Sequence, residues 1–217
     1  MDVVTLQRAV GTTADGAWGP KSRNALAAAF SNPHPAALPP AEAAAIANHL
    51  GVTPRQLAAV AIVESAGGGF DRAGRPRMLF ERHKFHRFTG GRHSVSTFSN
   101  PQAGGYSENS WDKLNDAIAK GEVDAAFMAC SWGKFQVLGE FWRQLGHASP
   151  YALAHSTVAG EAGQYDLLCR FIAMSQLQDE MRALSANPET CRAFAKGYNG
   201  AGYARFDYHH KLADAMR

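Results

Sequence analysis

The 217-residue chain is poor in cysteine, in long apolar runs and in charge of one sign. Its three cysteines, Cys130, Cys169 and Cys191, are an odd number at irregular spacing inside apolar helical patterns. That spacing excludes a disulfide frame and a cysteine-rich zinc module, and leaves reduced thiols filling a core. No stretch approaches the roughly 20 apolar residues that a spanning helix needs, so no integral membrane segment is expected. The N-terminus MDVVTLQRAV lacks a basic start followed by an apolar core, so no secretory signal is expected either. Net charge is +3 and the pI about 8.8, with lysines and arginines scattered along the chain. Scattered cations give no footprint for nucleic acid, though they suit an anionic polymer.

What is present is ordinary globular material, 46% hydrophobic and 19% charged. A chain of this length buries roughly 70% of its unfolded surface, enough for one good core or for a core plus a small module. Residues 1–30 read as helix, turn, helix: DVVTLQRAV, then GTTADGAWGP with a turn at Asp15-Gly16, then KSRNALAAAF opened by Pro20. Residues 31–40, SNPHPAALPP, hold four prolines without periodicity and read as a linker. Residues 41–217 form the main domain. It opens with two helices, passes through a Gly-, Pro- and aromatic-rich lobe from Gly67 to Tyr106, and returns to helices from Ser110 onward. The lobe is expected to hold one small sheet or hairpin, with RMLFERHKF as its alternating run and little core of its own. From about Ala159 to Leu184 one long helical run is expected.

One helix of that domain ends in an acid. In TPRQLAAVAIVESAGGGF, Thr53 is an N-cap, Pro54 fits the first helical position, and Gln56 can close a capping box. Leu57, Val60 and Glu64 recur at the spacing of one helix face, which leans Glu64 on the core-facing stripe. Desolvation there disfavours the carboxylate and raises its pKa, the condition a general acid needs near neutral pH. The local pattern alone also allows an exposed last turn ahead of a glycine stop. GGGF is no phosphate loop, since the following Gly-Lys-Ser/Thr is missing. Glu81, His83 and His86 are metal-ligand types, yet HKFH is not HExxH, and no metal or cofactor is expected.

Three short motifs follow one another: Glu64-Ser65 at a helix end, SWGKFQ from Ser131 to Gln136, and YNG from Tyr198 to Gly200. A helix ending in Glu-Ser, a Gly-x-x-Gln segment and a Tyr-Asn-Gly segment resemble the lysozyme-like superfamily, lytic transglycosylases and goose-type lysozymes in particular. The run VESAGGGF, PRMLFERHKFHRFTGG, SNPQAGGY, SWGKFQVLG and YNG resembles the N-acetylmuramidase family of phage endolysins over most of residues 39–217. The resemblance implies a mainly α, α+β lysozyme-like fold and a peptidoglycan hydrolase, with Glu64 as catalytic acid and Glu81 as second carboxylate. Breaking a β-1,4 glycosidic bond needs that pair: a protonated acid at the leaving oxygen, and a group that stabilises the oxocarbenium-like state or activates water. Glu81 follows Met78-Leu79-Phe80, a short strand that could carry it across a cleft, although a surface salt bridge to Arg77, Arg82 or Arg87 is the alternative. Those arginines are expected to keep Glu81 ionised. Gln136 suits a sugar N-acetyl group and Tyr198 a sugar face, and Ser131, Trp132, Tyr106 and Asn199 are expected to join them in substrate binding.

The N-terminal LQRAVGTTADGAWGPKSRNALAAAF resembles the first half of a peptidoglycan-binding module, with Asp15, Gly16 and Trp18 as its wall-binding residues. That implies a unit that retains the enzyme on walls and is dispensable for chemistry, or else a helical hairpin packed on the main domain. The expected partner is the glycan strand of peptidoglycan, bound by a monomer that accumulates in the host cytosol and reaches the wall after membrane breach. A lytic transglycosylase and a non-catalytic wall-binding protein are the rival functions.

Overall fold

The computed structural model describes residues 1–65, 68–104 and 109–217. Helix α1 (Val3–Ala9) starts where the Asp2 carboxylate accepts from the Thr5 amide at 2.7 Å, and α2 (Pro20–Ala29) starts on Pro20, whose missing N–H costs nothing there. Between them the Asp15-Gly16 turn closes on Gln7, which is buried. The Gln7 amide donates to Asp15 Oδ1 at 2.8 Å and to Ser22 Oγ at 3.0 Å, and its oxygen accepts from Gly16 N at 2.9 Å. Gly16 has φ of 79°, a conformation that favours glycine.

This hairpin shares its core with the rest of the chain. Phe30 is fully buried, with ring centroids of Trp111 at 5.4 Å, Trp132 at 5.6 Å and Tyr151 at 5.9 Å. Trp18 donates from Nε1 to Asn115 Oδ1 at 3.0 Å, and Arg23 meets Asp116 at 2.8 Å. The Pro-rich segment is strapped down as well. Asn32 N donates to Gly74 O at 3.0 Å and Glu161 N to Ala36 O at 2.8 Å, while Leu38 N donates to the Glu161 carboxylate at 3.2 Å. Proline excludes helix but leaves carbonyls and neighbouring amides free to bond, so composition alone does not make a tether.

Helix α3 (Pro40–Leu50) ends at Gly51, left-handed with φ of 68°. Helix α4 (Pro54–Ser65) carries the expected capping box: Gln56 N donates to Thr53 Oγ1 at 3.2 Å and Thr53 N to Gln56 Oε1 at 2.8 Å. The Gln56 amide also donates to the carbonyls of Arg182 and Leu184, tying the start of α4 to the C-terminal helices.

In the middle lobe, strand β1 (Met78–Phe80) runs straight into α5 (Arg82–Phe88). RMLFERHKF is therefore strand then helix, not one alternating strand, because Phe85 must turn back onto Phe80 and Phe98 at ring distances of 5.8 Å. The lobe also holds real core, contrary to expectation: Phe80 and Phe85 are fully buried, each worth roughly 1.5–3 kcal/mol of transfer free energy. Next come α6 (Ser110–Ala119), capped by Asn109, α7 (Val123–Met128), β2 (Cys130–Trp132) and β3 (Val137–Leu138). The three strands form one antiparallel sheet in sequence order, with Met78 opposite Trp132 and Ser131 opposite Leu138.

Helices then close the structure: α8 (Pro150–Ser156), α9 (Glu161–Met174), α10 (Gln178–Arg182), α11 (Pro188–Asn199) and α12 (Tyr208–Ala215), with a 3-10 turn over Ala201–Phe206. The long run after Ala159 is two helices rather than one, broken where Gln176 turns left-handed at φ of 54°. Helix α12 packs on α11 and on α4, which brings the YNG segment to the end of the Glu64 helix. All three cysteines are free, Cys130 and Cys191 buried. The fold is mainly α with one small sheet, and among the described residues no helix is long and apolar enough to cross a membrane.

Candidate active site

Leu57 and Val60 are buried on the inner stripe of α4, and Glu64 follows them half-buried at the rim of a cleft of about 570 Å³. Arg72, Arg75, Arg77, Lys134 and Gln136 line the same cleft. Glu64 Oε1 accepts from Asn199 Nδ2 at 3.1 Å. Burial pushes the Glu64 carboxyl up to about 7, against the opposing pull of the Asn199 hydrogen bond and the Lys211 charge. A carboxyl of that pKa still carries its proton in much of the population at neutral pH.

Glu81 is placed by the sheet. Strand alternation and register put Leu79, Ser131, Leu138 and the continuing Glu81 on one face, with Phe80, Cys130 and Trp132 on the other, packed into the core. The Glu81 amide extends the ladder by donating to Ala129 O at 2.9 Å. Its carboxylate lies 3.7 Å from His83 Nε2. The neighbouring arginines do not pull the Glu81 carboxyl below its ordinary range. Its pKa is raised, first by burial and also by the nearby Glu140 charge, with Lys84 and Arg87 only partly opposing. Arg77 lines the Glu64 cleft instead, while Arg87 and Lys84 both bond the Glu140 carboxylate, Arg87 at 2.6 Å. Glu81 and His83 are a pair, and among the described residues no group of three or more His, Cys, Asp or Glu side chains gathers as a metal cluster.

Gln136 sits at the junction of this cleft with a second hollow of about 410 Å³ lined by Phe141, Phe171, Met174, Tyr198 and Asn199. Its backbone is left-handed at φ of 50°, uncommon for a residue with a side chain. Its amide is engaged within the protein: Oε1 accepts from Ser131 Oγ and Nε2 donates to Gly133 O, each at 2.8 Å. Tyr198 donates its hydroxyl to Phe135 O at 2.9 Å and lies nearly parallel to Phe194, so one ring face is already covered. Ser131 is buried, and Trp132, 1% exposed, stacks on Phe127 at 5.8 Å. Trp132 packs into the core behind the sheet, while Ser131, on the Glu81 face, is covered by its bond to Gln136. Tyr106 lies outside the described residues. Asp15 and Gly16 are bound to Gln7, and Trp18 is turned inward onto Asn115. Sequence reasoning missed Glu140, whose partners lie far away in the chain, and Lys211 on α12, whose charge acts on Glu64.

An acid with a raised pKa at the end of a helix, facing a cleft beside a small antiparallel sheet in a helical frame, fits a lysozyme-like glycosidase. The chain belongs to the N-acetylmuramidase family: the family model Muramidase matches residues 53–217, beginning at the N-cap of α4. It is thus a peptidoglycan-cleaving glycoside hydrolase. Among solved structures, the crystal structure of Burkholderia AP3 phage endolysin is similar, with 26% identity and a TM-score of 0.73. The likeness covers 99% of this chain and 92% of that one, the N-terminal helices included. No curated protein matches the chain.

Proposed function

We propose that the enzyme cleaves the β-1,4 bond between N-acetylmuramic acid and N-acetylglucosamine, with Glu64 as proton donor and Glu81 as second carboxylate. The observation that carries this reading is the half-buried Glu64, held by Asn199 at the cleft with its pKa lifted to about 7. Glu64 gives its proton to the glycosidic oxygen as the C1–O bond breaks, and Glu81 stabilises the oxocarbenium-like sugar or activates the water that completes hydrolysis. Gln136, Ser131 and Tyr198 position the groove wall, Trp132 backs it, and Asn199 orients the acid. Four cations line the Glu64 cleft, Arg75 paired with Asp71 and Lys134 with Glu161, and the remaining excess of positive charge suits a polymer that carries carboxylates. One chain supplies both carboxylates and the groove, so the enzyme works as a monomer without cofactor or nucleic acid. The likeness to a phage endolysin supports host lysis as its biological role, from a cytosolic pool that meets the wall after membrane breach. Residues 1–30 serve mainly as part of the fold, since Trp18 faces Asn115 and Phe30 faces the core. Digestion of purified sacculi followed by mass spectrometry tests the reaction: reducing muramic acid ends support hydrolysis, and anhydro ends would assign a lytic transglycosylase.

A further inference from the structure

Glu81 stands in a cation-rich stretch, GRPRMLFERHKFHR, yet among the described residues no lysine or arginine bonds its carboxylate, which has only His83 Nε2 at 3.7 Å. The reason lies across the lobe, on the 3-10 turn Gly139–Phe141 that follows β3. Glu140 there reaches back over 56 residues of chain to bond Lys84 with one carboxylate oxygen, and bonds Arg87 at 2.6 Å with the other. Lys84 and Glu140 are well shielded, with side chains 15% and 19% exposed, whereas Arg87 is 60% exposed. Shielding strengthens a pair relative to a surface one, so Lys84–Glu140 is the main lock and Arg87 its solvent-facing rim. Lys84 lies three residues after Glu81, the spacing at which helix-start side chains meet.

We propose that Glu140 is a positioning residue for the second carboxylate: by holding Lys84 and Arg87 on itself, it keeps Glu81 out of an ion pair and therefore reactive. A carboxylate clamped by a lysine is a weaker base and nucleophile, because its lone pairs and charge are already committed. The inference rests on the reading of Glu81 as the second carboxylate. The groups facing Glu81 are few. Helix α5 supplies His83, Lys84 and Arg87 and the 3-10 turn supplies Glu140, while the buried thiol of Cys130, on the other face of the sheet, feels the Glu81 charge only through the strand. His83 is held toward its neutral form by burial and by the neighbouring Lys84 and Arg87 charges, so it does not replace the missing cation.

Glu140→Gln keeps the size and the hydrogen-bonding oxygen but removes the charge that captures Lys84. The readout is kcat/KM against pH on purified sacculi, by release of reducing ends, beside thermal melting. Freed Lys84 then pairs with Glu81, and the acid limb of the profile moves about one pH unit lower, the scale of a new opposite charge nearby. Maximal turnover falls several-fold, and the alkaline limb set by Glu64 stays in place. Adding Lys84→Met to Glu140→Gln returns the acid limb to its parental position. A variant that loses activity equally at every pH, with both limbs unmoved, shows a merely structural Glu140 and overturns the inference. A Glu81→Gln variant with parental activity would sink the catalytic reading of Glu81 itself. Inactive Glu81→Gln beside an unmoved acid limb in Glu140→Gln sinks only the positioning role.

Discussion

Asn199, the last residue of α11, donates from Nδ2 to Glu64 Oε1 at 3.1 Å across 135 residues of sequence, joining the YNG segment to the acid. The bond favours the ionised carboxyl and so opposes the effect of burial. Asn199→Ala removes that opposition. The alkaline limb of kcat/KM is therefore expected to move to higher pH while kcat drops about tenfold, as the acid loses its fixed orientation. A pH profile on sacculi measures both, and an unmoved alkaline limb would show that Asn199 does not act through Glu64.

Glu64 also sets a stability trend. Its folded-state pKa of about 7 lies above the ordinary value of 4.5, so the folded state binds more protons between those two values. The associated stability is fully present below about pH 4.5 and is lost as pH rises through 7. Glu64→Gln carries no charge to desolvate, and its amide oxygen still accepts from Asn199. At pH 8 it should be more stable than the parent by roughly 1–3 kcal/mol, with the gap closing toward pH 5. Denaturant melts at the two pH values provide the comparison; a variant less stable than the parent at pH 8 contradicts the desolvation argument.

Phe30 ties the N-terminal hairpin to the aromatic cluster behind the groove. Phe30→Ala is expected to cost about 3–5 kcal/mol, the usual range for a fully buried phenylalanine. Cutting before Pro39 uncovers Trp111 and Trp132 together, so the truncated chain should lose its cooperative melt and with it hydrolysis of soluble glycan. Should the truncation melt and hydrolyse like the full chain, residues 1–38 would be the dispensable unit that the N-terminal motif suggested.

The legible parts of this protein are the ones written locally. Thr53, Pro54 and Gln56 mark a helix start within four residues, and the Leu57–Val60 stripe points to Glu64 before any partner is known. What stays hidden is long-range. No spacing around Glu81 reveals that Lys84 and Arg87 are drawn to Glu140, because a cation is indifferent in sequence to which acid it will meet. Trp132 sits in the same short motif as Gln136, yet the pleat sends it into the core while Ser131 faces the amide of Gln136. Proline content flagged residues 31–40 as irregular, which they are. It could not show that Asn32, Ala36 and Leu38 bond to the domain. Gln176 breaks a helix in a left-handed conformation that its side chain does not advertise.

The central claim is that Glu64 is the proton donor. Its most direct test is the rate of reducing-end release from purified sacculi by Glu64→Gln, measured beside its thermal melt and the mass of the products formed by the parent. The account predicts reducing muramic acid ends from the parent and at least about a hundredfold slower release by the variant, with the fold retained. A Glu64→Gln protein that melts normally and cleaves at the parental rate would contradict it.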